Sequence, residues 1–196
     1  NEAAVKQLFK EVQPDVVINS SALSVPDYCE THHEEAWLTN VTAVEQLAHL
    51  CESYKSRFIH LSTDFVFDGK IDEKSGQLYT EESLPAPVNY YGFTKWKGEE
   101  KVAEICSNYA IARVEIVYGK ALPGQHGNIV QLVMNRLNAG QEIRVVSDQW
   151  RTPTYVGDVS AGVQHLMENA ANGIFHICGD ECLTIAEIAF QVADYM

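Results

Sequence analysis

Two short stretches of this chain hold side chains whose types and spacing suit the movement of a proton. In Tyr91-Gly-Phe-Thr-Lys95 a phenol and an ammonium stand four residues apart, and on a helix such residues share a face. A free phenol ionises near ~10, too high for ready exchange at neutral pH. A neighbouring ammonium favours the phenolate and lowers that value, which makes tyrosine a usable general acid or base. The same spacing also fits a surface helix with a solvated lysine. The second stretch is Ser62-Thr63-Asp64-Phe-Val-Phe-Asp-Gly69. A hydroxyl at a strand end is able to hydrogen-bond a substrate carbonyl and a catalytic phenol together. The plainer reading is a strand-to-loop turn, with Ser or Thr capping and Asp68-Gly69 reversing the chain.

The elements that must position these groups alternate along the chain. Val5, Leu8, Phe9 and Val12 recur at helical spacing, and Pro14 closes that helix. Asp15–Asn19 carries the short apolar run of a buried strand. Trp37, Leu38, Val41, Val44, Leu47, Ala48 and Cys51 make the stripe of a long amphipathic helix. Arg57–Ser62 reads as a strand, and 65–90 as a long polar loop with Gly69, Gly76, Pro85 and Pro87, of a length that usually serves function. A helix over 91–106, a strand over 109–116 and a loop over 122–127 follow. Ile129 to Leu137 form a helix stopping at Gly140. A strand over 143–146, a helix over 156–171 and a strand over 174–178 come next. Thr184-x-x-Glu187 reads as a capping box opening the last helix.

This alternation predicts an α/β fold: a Rossmann-like parallel sheet flanked by helices, with right-handed crossovers. Ligands in such sheets bind beyond the carboxyl ends of the strands. Ser20-Ser21-Ala22 and Ser62-Thr63-Asp64 both follow predicted strands, so both fall where chemistry is expected.

Composition narrows the partners. The net charge of -13 disfavours nucleic acid and anionic membranes, while leaving room for a local anion pocket. Cys29, Cys51, Cys106, Cys178 and Cys182 are odd in number and form no CxxC pair, which favours a reduced, cytoplasmic protein. No run is long enough to span a membrane and no signal peptide is evident. The histidines do not cluster with carboxylates at metal spacing. His32-His33 beside Glu34 and Glu35 reads as the start of a solvated helix, and no metal is assigned. The chain opens at Asn1 inside a predicted helix, as a piece of a longer protein would.

A strand-end hydroxyl, a long loop and Tyr-x-x-x-Lys at a helix start together form the pattern of short-chain dehydrogenases. The chain resembles the dTDP-4-dehydrorhamnose reductase family of extended members and its relative, the regulatory beta subunit of methionine adenosyltransferase. The carrying stretches are Leu61–Gly69, Pro85–Lys95, Arg113-Val-Glu-Ile-Val-Tyr-Gly119 and Asp148-Gln-Trp-Arg-Thr-Pro-Thr154. The resemblance implies hydride transfer from NADPH or NADH to the C4 ketone of a dTDP-linked 4-keto-6-deoxysugar. It implies that Tyr91 protonates the developing alkoxide, that Lys95 lowers the Tyr91 pKa and holds the nicotinamide ribose, and that Thr63 hydrogen-bonds the carbonyl. Asp64 would orient the sugar. Ser20, Ser21, Ala22 and Ser62 would touch the cofactor, together with Tyr91 and Lys95. Val25, Gln149 and Arg151 would line the sugar-nucleotide side, Arg151 meeting a pyrophosphate unless it forms a salt bridge. Asn40 would be structural, Trp150 core or pocket wall, and Asp27 and Glu30 close to substrate.

The implied organisation is a partial dinucleotide-binding region over 1–118 and a substrate-binding lobe, interleaved with the sheet, over 119–196. A homodimer stays open. One departure bears on the cofactor. No GxGxxG or GxxGxxG turn exists in the chain, so these 196 residues are expected to hold a nicotinamide cofactor weakly or not at all. The sheet edge that further strands would cover is expected to stand open. A non-catalytic regulatory subunit and a sugar-nucleotide epimerase or dehydratase remain the competing readings.

Overall fold

The computed structural model describes residues 2–70, 78–120 and 127–196. Gly76 of the long loop and most of the loop over 122–127 lie outside them. The first helix, α1, covers Glu2–Val12, and β1 covers Val16–Asn19. Short helices α2 (Pro26–Cys29) and α3 (His33–Trp37) lead through a π-helical turn at Leu38–Thr42 into α4 (Ala43–Tyr54). Strand β2 is Arg57–Thr63, followed by a 3-10 turn at Asp64–Val66. Helix α5 is Tyr90–Ile105, and β3 is Tyr109–Val114. Then come β4 (Val117–Tyr118), α6 (Ile129–Asn138), β5 (Trp150–Arg151), β6 (Thr154–Tyr155), α7 (Val156–Glu168), β7 (Gly173–Ile177), β8 (Leu183–Thr184) and α8 (Ile185–Tyr195).

The chain forms two compact units. The first comprises Asn1–Arg113 and Val163–His176. It carries the α/β fold, a parallel sheet flanked by helices in the order β1-β2-β3-β7. Strands β1 and β2 are parallel, with Val16 opposite Arg57 and Asn19 opposite His60. The apolar stripes foreseen in the sequence meet here. Phe9 of α1, Val44, Ala48 and Cys51 of α4, Phe58 of β2, Val102 of α5 and Ile111 of β3 form one buried cluster. Burial of such side chains is worth about 1.5–3 kcal/mol each. Strand β1 lies at the end of the strand order. Buried Arg57 ties β2 to the end of α7 and the segment after it, donating to the carbonyls of Leu166 at 2.9 Å and Ala171 at 2.7 Å.

The second unit comprises Val114–Gly162 and Ile177–Met196. It pairs β4 with β6 in parallel and β5 with β8 antiparallel. Helix α6 packs against α8. The capping box is present: Thr184 Oγ1 accepts from the Glu187 amide at 3.1 Å, and the Glu187 carboxylate accepts from the Thr184 amide at 2.7 Å.

Four local expectations need correction. The long helix read from Trp37 to Cys51 is interrupted by the π-turn, within which Asn40 and Val41 are buried. The strand read over 109–116 breaks at Ile116, whose φ of 32° is closed to an extended strand. Residues 143–146 form no strand; Val146 is exposed, and the alternation there has no sheet to pair with. Trp150 is half exposed rather than part of a core.

Candidate functional site

The two proton-moving stretches converge within the first unit. Strand β2 delivers Thr63 at its carboxyl end, where the chain leaves the sheet. Thr63 Oγ1 accepts from the Phe65 amide at 3.2 Å and donates to Asp64 Oδ1 at 3.1 Å. Capping the 3-10 turn in this way fixes the hydroxyl in place. Helix α5 delivers Tyr91 in its first turn. Its start is set by Asn89, whose side chain accepts from the Gly92 amide at 2.7 Å, and by Glu30, whose carboxylate accepts from the Tyr90 amide at 2.6 Å. A Cβ on residue 92 would stand 2.0 Å from the Phe65 carbonyl oxygen. Only glycine lets the start of α5 come this close to the turn that carries Thr63.

The Thr63 hydroxyl stands beside the phenol of Tyr91 and favours its ionised form. The phenol is almost fully buried, packs with Cys29 and Ala36, and meets Phe65 edge-on at 5.5 Å. Burial pushes the phenol up to about 12. The neighbouring Thr63 hydroxyl opposes that rise, while Asp64 and Cys29 add to it. Desolvation dominates, and what opposes it is Thr63. The Lys95 amine is engaged on the strand side. It is 2% exposed, donates to the Leu61 carbonyl at 2.7 Å and lies 3.4 Å from His60 Nε2. Burial brings Lys95 down to about 8, with Glu99 pulling the other way. Glu99 itself is held in a buried, two-point pair with Arg113, at 2.9 and 2.6 Å.

The remaining sequence-expected residues fall as follows. Ser62 is buried, and its Oγ has no hydrogen-bond partner among the described residues. Ser20 and Ser21 are exposed in the loop after β1, with Ala22 partly buried. Val25 is exposed at the start of α2. Asn40 clasps that loop: its side chain accepts from the Leu23 amide at 2.8 Å and donates to the Leu23 carbonyl and to Thr94 Oγ1, each at 3.0 Å. Glu30 serves the start of α5, and Asp27 is exposed. His32 stacks on Tyr28 and His33 on Tyr90. Among the described residues no group of three or more His, Cys, Asp or Glu is placed to hold a metal ion. In the second unit Arg151 pairs with Glu115 at 3.8 Å, and Gln149 is exposed while its carbonyl accepts from the Ile185 amide at 3.1 Å.

Sequence reasoning missed Asn19, His60, Asn89, Gly92 and the Glu99–Arg113 pair. A helix-cap signal at Asn89 was available before Tyr90. The others depend on contacts between distant segments.

Comparison with known proteins places this geometry. The family described as the RmlD substrate binding domain matches residues 1–196. The chain is 33% identical over 193 residues to a probable low-salt glycan biosynthesis reductase, Agl14, of Haloferax volcanii, covering 97% of this chain and 62% of that protein. It is 34% identical over 199 residues to methionine adenosyltransferase 2 subunit beta of Xenopus laevis, covering 99% of this chain and 58% of the relative. A crystal structure of dTDP-4-dehydrorhamnose reductase from Bacillus anthracis in complex with NADP aligns with a TM-score of 0.91 at 29% identity, over 100% of this chain and 67% of that one. The chain thus spans less than two thirds of the length of these two curated relatives.

Proposed function

The chain belongs to the RmlD substrate binding domain family, and from that premise we propose that the whole protein is an NADPH- or NADH-dependent reductase of the C4 ketone of a dTDP-linked 4-keto-6-deoxysugar. The observation that carries this reading is the convergence of the Thr63 hydroxyl on the Tyr91 phenol, with the buried Lys95 amine one helical turn further along α5.

The residues fit the cofactor's reactive end. An unsatisfied buried hydroxyl such as that of Ser62 is what a ligand polar atom relieves, and the exposed loop of Ser20, Ser21 and Ala22 follows a neighbouring strand. A reduced nicotinamide, when bound, supplies a hydride to the ketone carbon and leaves oxidised. Tyr91 supplies the matching proton to the oxygen, so the ketone becomes an alcohol. Burial keeps the Tyr91 phenol protonated at neutral pH, which is the form an acid needs. Thr63 has one hydroxyl proton. It rests on Asp64 while the phenol keeps its own, and turns to the phenolate once Tyr91 has given that proton up. Lys95 holds the ribose and restores the phenol's proton. Asp64 orients the sugar, and Val25 faces the sugar nucleotide.

Full-length protein mixed with NADPH and dTDP-4-dehydrorhamnose tests the reading. Consumption of NADPH in step with formation of the 4-hydroxy sugar supports it. A second reading is favoured by the similarity to methionine adenosyltransferase 2 subunit beta: a regulatory subunit that keeps the fold. No turnover with any 4-keto sugar, together with tight binding of a methionine adenosyltransferase catalytic subunit, would support that reading instead.

A further inference from the structure

Behind the amine of Lys95 lies a chain of side chains that the proposed reaction does not use. The Ser21 amide donates to Asn19 Oδ1 at 3.1 Å. This fixes which end of the Asn19 amide is oxygen, a choice that otherwise stays ambiguous. The NH2 end therefore faces His60, with Nδ2 3.1 Å from Nδ1 of the ring. An NH2 group only donates, so Nδ1 must accept. A neutral imidazole that accepts at Nδ1 carries its proton on Nε2. Nε2 is the atom 3.4 Å from Lys95 Nζ. Asn19, His60 and Lys95 are all nine-tenths or more buried, so no solvent competes for these protons.

We propose that Asn19 locks His60 as its Nε2–H tautomer, and that Lys95 consequently meets a donor rather than an acceptor on its strand side. His60 is then a positioning residue for Lys95, and Asn19 is the group that sets its direction. An ammonium has no lone pair to receive the His60 N–H; a neutral amine has one. The lock therefore disfavours the charged lysine and favours an amine that accepts from His60 while donating to the Leu61 carbonyl. The other groups facing this amine act differently. Glu99, on the same helix, favours the ammonium, but Arg113 of β3 occupies both its oxygens. The shifts agree in direction: burial, reinforced by Lys95, holds His60 well below the usual imidazole range, and Lys95 is itself brought down. The inference deepens the reductase reading and rests on it for its consequence, a lysine able to give and take a proton near neutral pH. Its geometry does not depend on that reading.

The test reads protons, not turnover, so the two ideas fail separately. In full-length protein with 15N-labelled histidine and 13Cε-labelled lysine, long-range 1H–15N correlations assign the His60 tautomer. The 13Cε shift gives the Lys95 midpoint. The expected result is a His60 ring protonated on Nε2 and unchanged from about pH 6 to about pH 9. In Asn19→Asp the carboxylate accepts from Nδ1–H, the proton moves to Nδ1, and the Lys95 midpoint rises by at least about one pH unit, tenfold in proton affinity. The double variant Asn19→Asp/His60→Phe keeps the new charge without the ring, and should show a clearly smaller rise. A wild-type His60 protonated on Nδ1 would overturn the proposal with no variant needed, even if Asn19→Asp fails to fold. An equal rise in the double variant would overturn it too, since charge alone would then account for the effect.

Discussion

The Thr63 hydroxyl at the end of β2 stands beside the Tyr91 phenol in the first turn of α5, where it favours the phenolate. The contact joins two segments that a long loop separates in the chain. It depends on backbone rather than on a long side chain, because the start of α5 sits against the turn after β2 with no room for a Cβ at residue 92.

Gly92→Ala should therefore damage the site out of proportion to its size. The new methyl meets the Phe65 carbonyl oxygen, which is backbone and cannot rotate away. A loss of about 1–3 kcal/mol in urea unfolding is expected for overpacking of this kind, with Tyr91 displaced. Wild-type stability in Gly92→Ala would show that α5 can shift freely.

The buried Glu99–Arg113 pair should behave asymmetrically. Arg113→Met leaves a buried carboxylate uncompensated and should cost about 3–5 kcal/mol. Glu99→Gln with Arg113→Met should recover much of that loss. Denaturant midpoints of the single and double variants check this, and strictly additive losses would contradict it.

Lys95 gives a pH signature. Its folded pKa is about 8 against the ordinary lysine value of 10.5, so between those values the unfolded state binds more protons. Stability therefore rises with pH across that window, and the penalty is complete below about pH 8. Burial also raises Cys51 to about 12, Cys106 to about 11 and Tyr91 to about 12. These groups oppose the rise above about pH 9, but they are common to wild type and variant. The stability difference between wild type and Lys95→Met should shift by about 3 kcal/mol in favour of wild type from pH 8 to 10.5. A flat difference would place the amine in water.

Thr63→Val keeps the shape and removes the hydroxyl. In the full-length protein kcat should fall about 10²- to 10³-fold, the scale for losing a preorganised donor to developing negative charge, here on the Tyr91 phenolate. The Phe65 amide loses its cap as well, at about 1 kcal/mol. A fall in stability with kcat unchanged would assign Thr63 to capping alone.

The parallel α/β sheet was legible in the sequence because each stripe announces its own face: Val44, Ala48 and Cys51 need no knowledge of Phe58 to recur at helical spacing. Thr63, Tyr91 and Lys95 stood out as candidates because their residue types and spacing suit the movement of a proton. The direction of the Lys95 amine was not, since it is set by the Leu61 carbonyl and by His60. Neither does spacing within α5 reveal how deeply Tyr91 is buried. The strand expected over 143–146 fails for a related reason: alternation indicates a half-buried strand only where a partner strand exists, and pairing is not local.

The most direct test is kcat of full-length Tyr91→Phe with NADPH and dTDP-4-dehydrorhamnose. The ring still packs against Phe65, Cys29 and Ala36, so folding and binding should persist while kcat falls about 10²- to 10⁴-fold. A variant turning over at the wild-type rate would mean that the proton comes from elsewhere, leaving the meeting of Thr63 and Tyr91 a matter of packing.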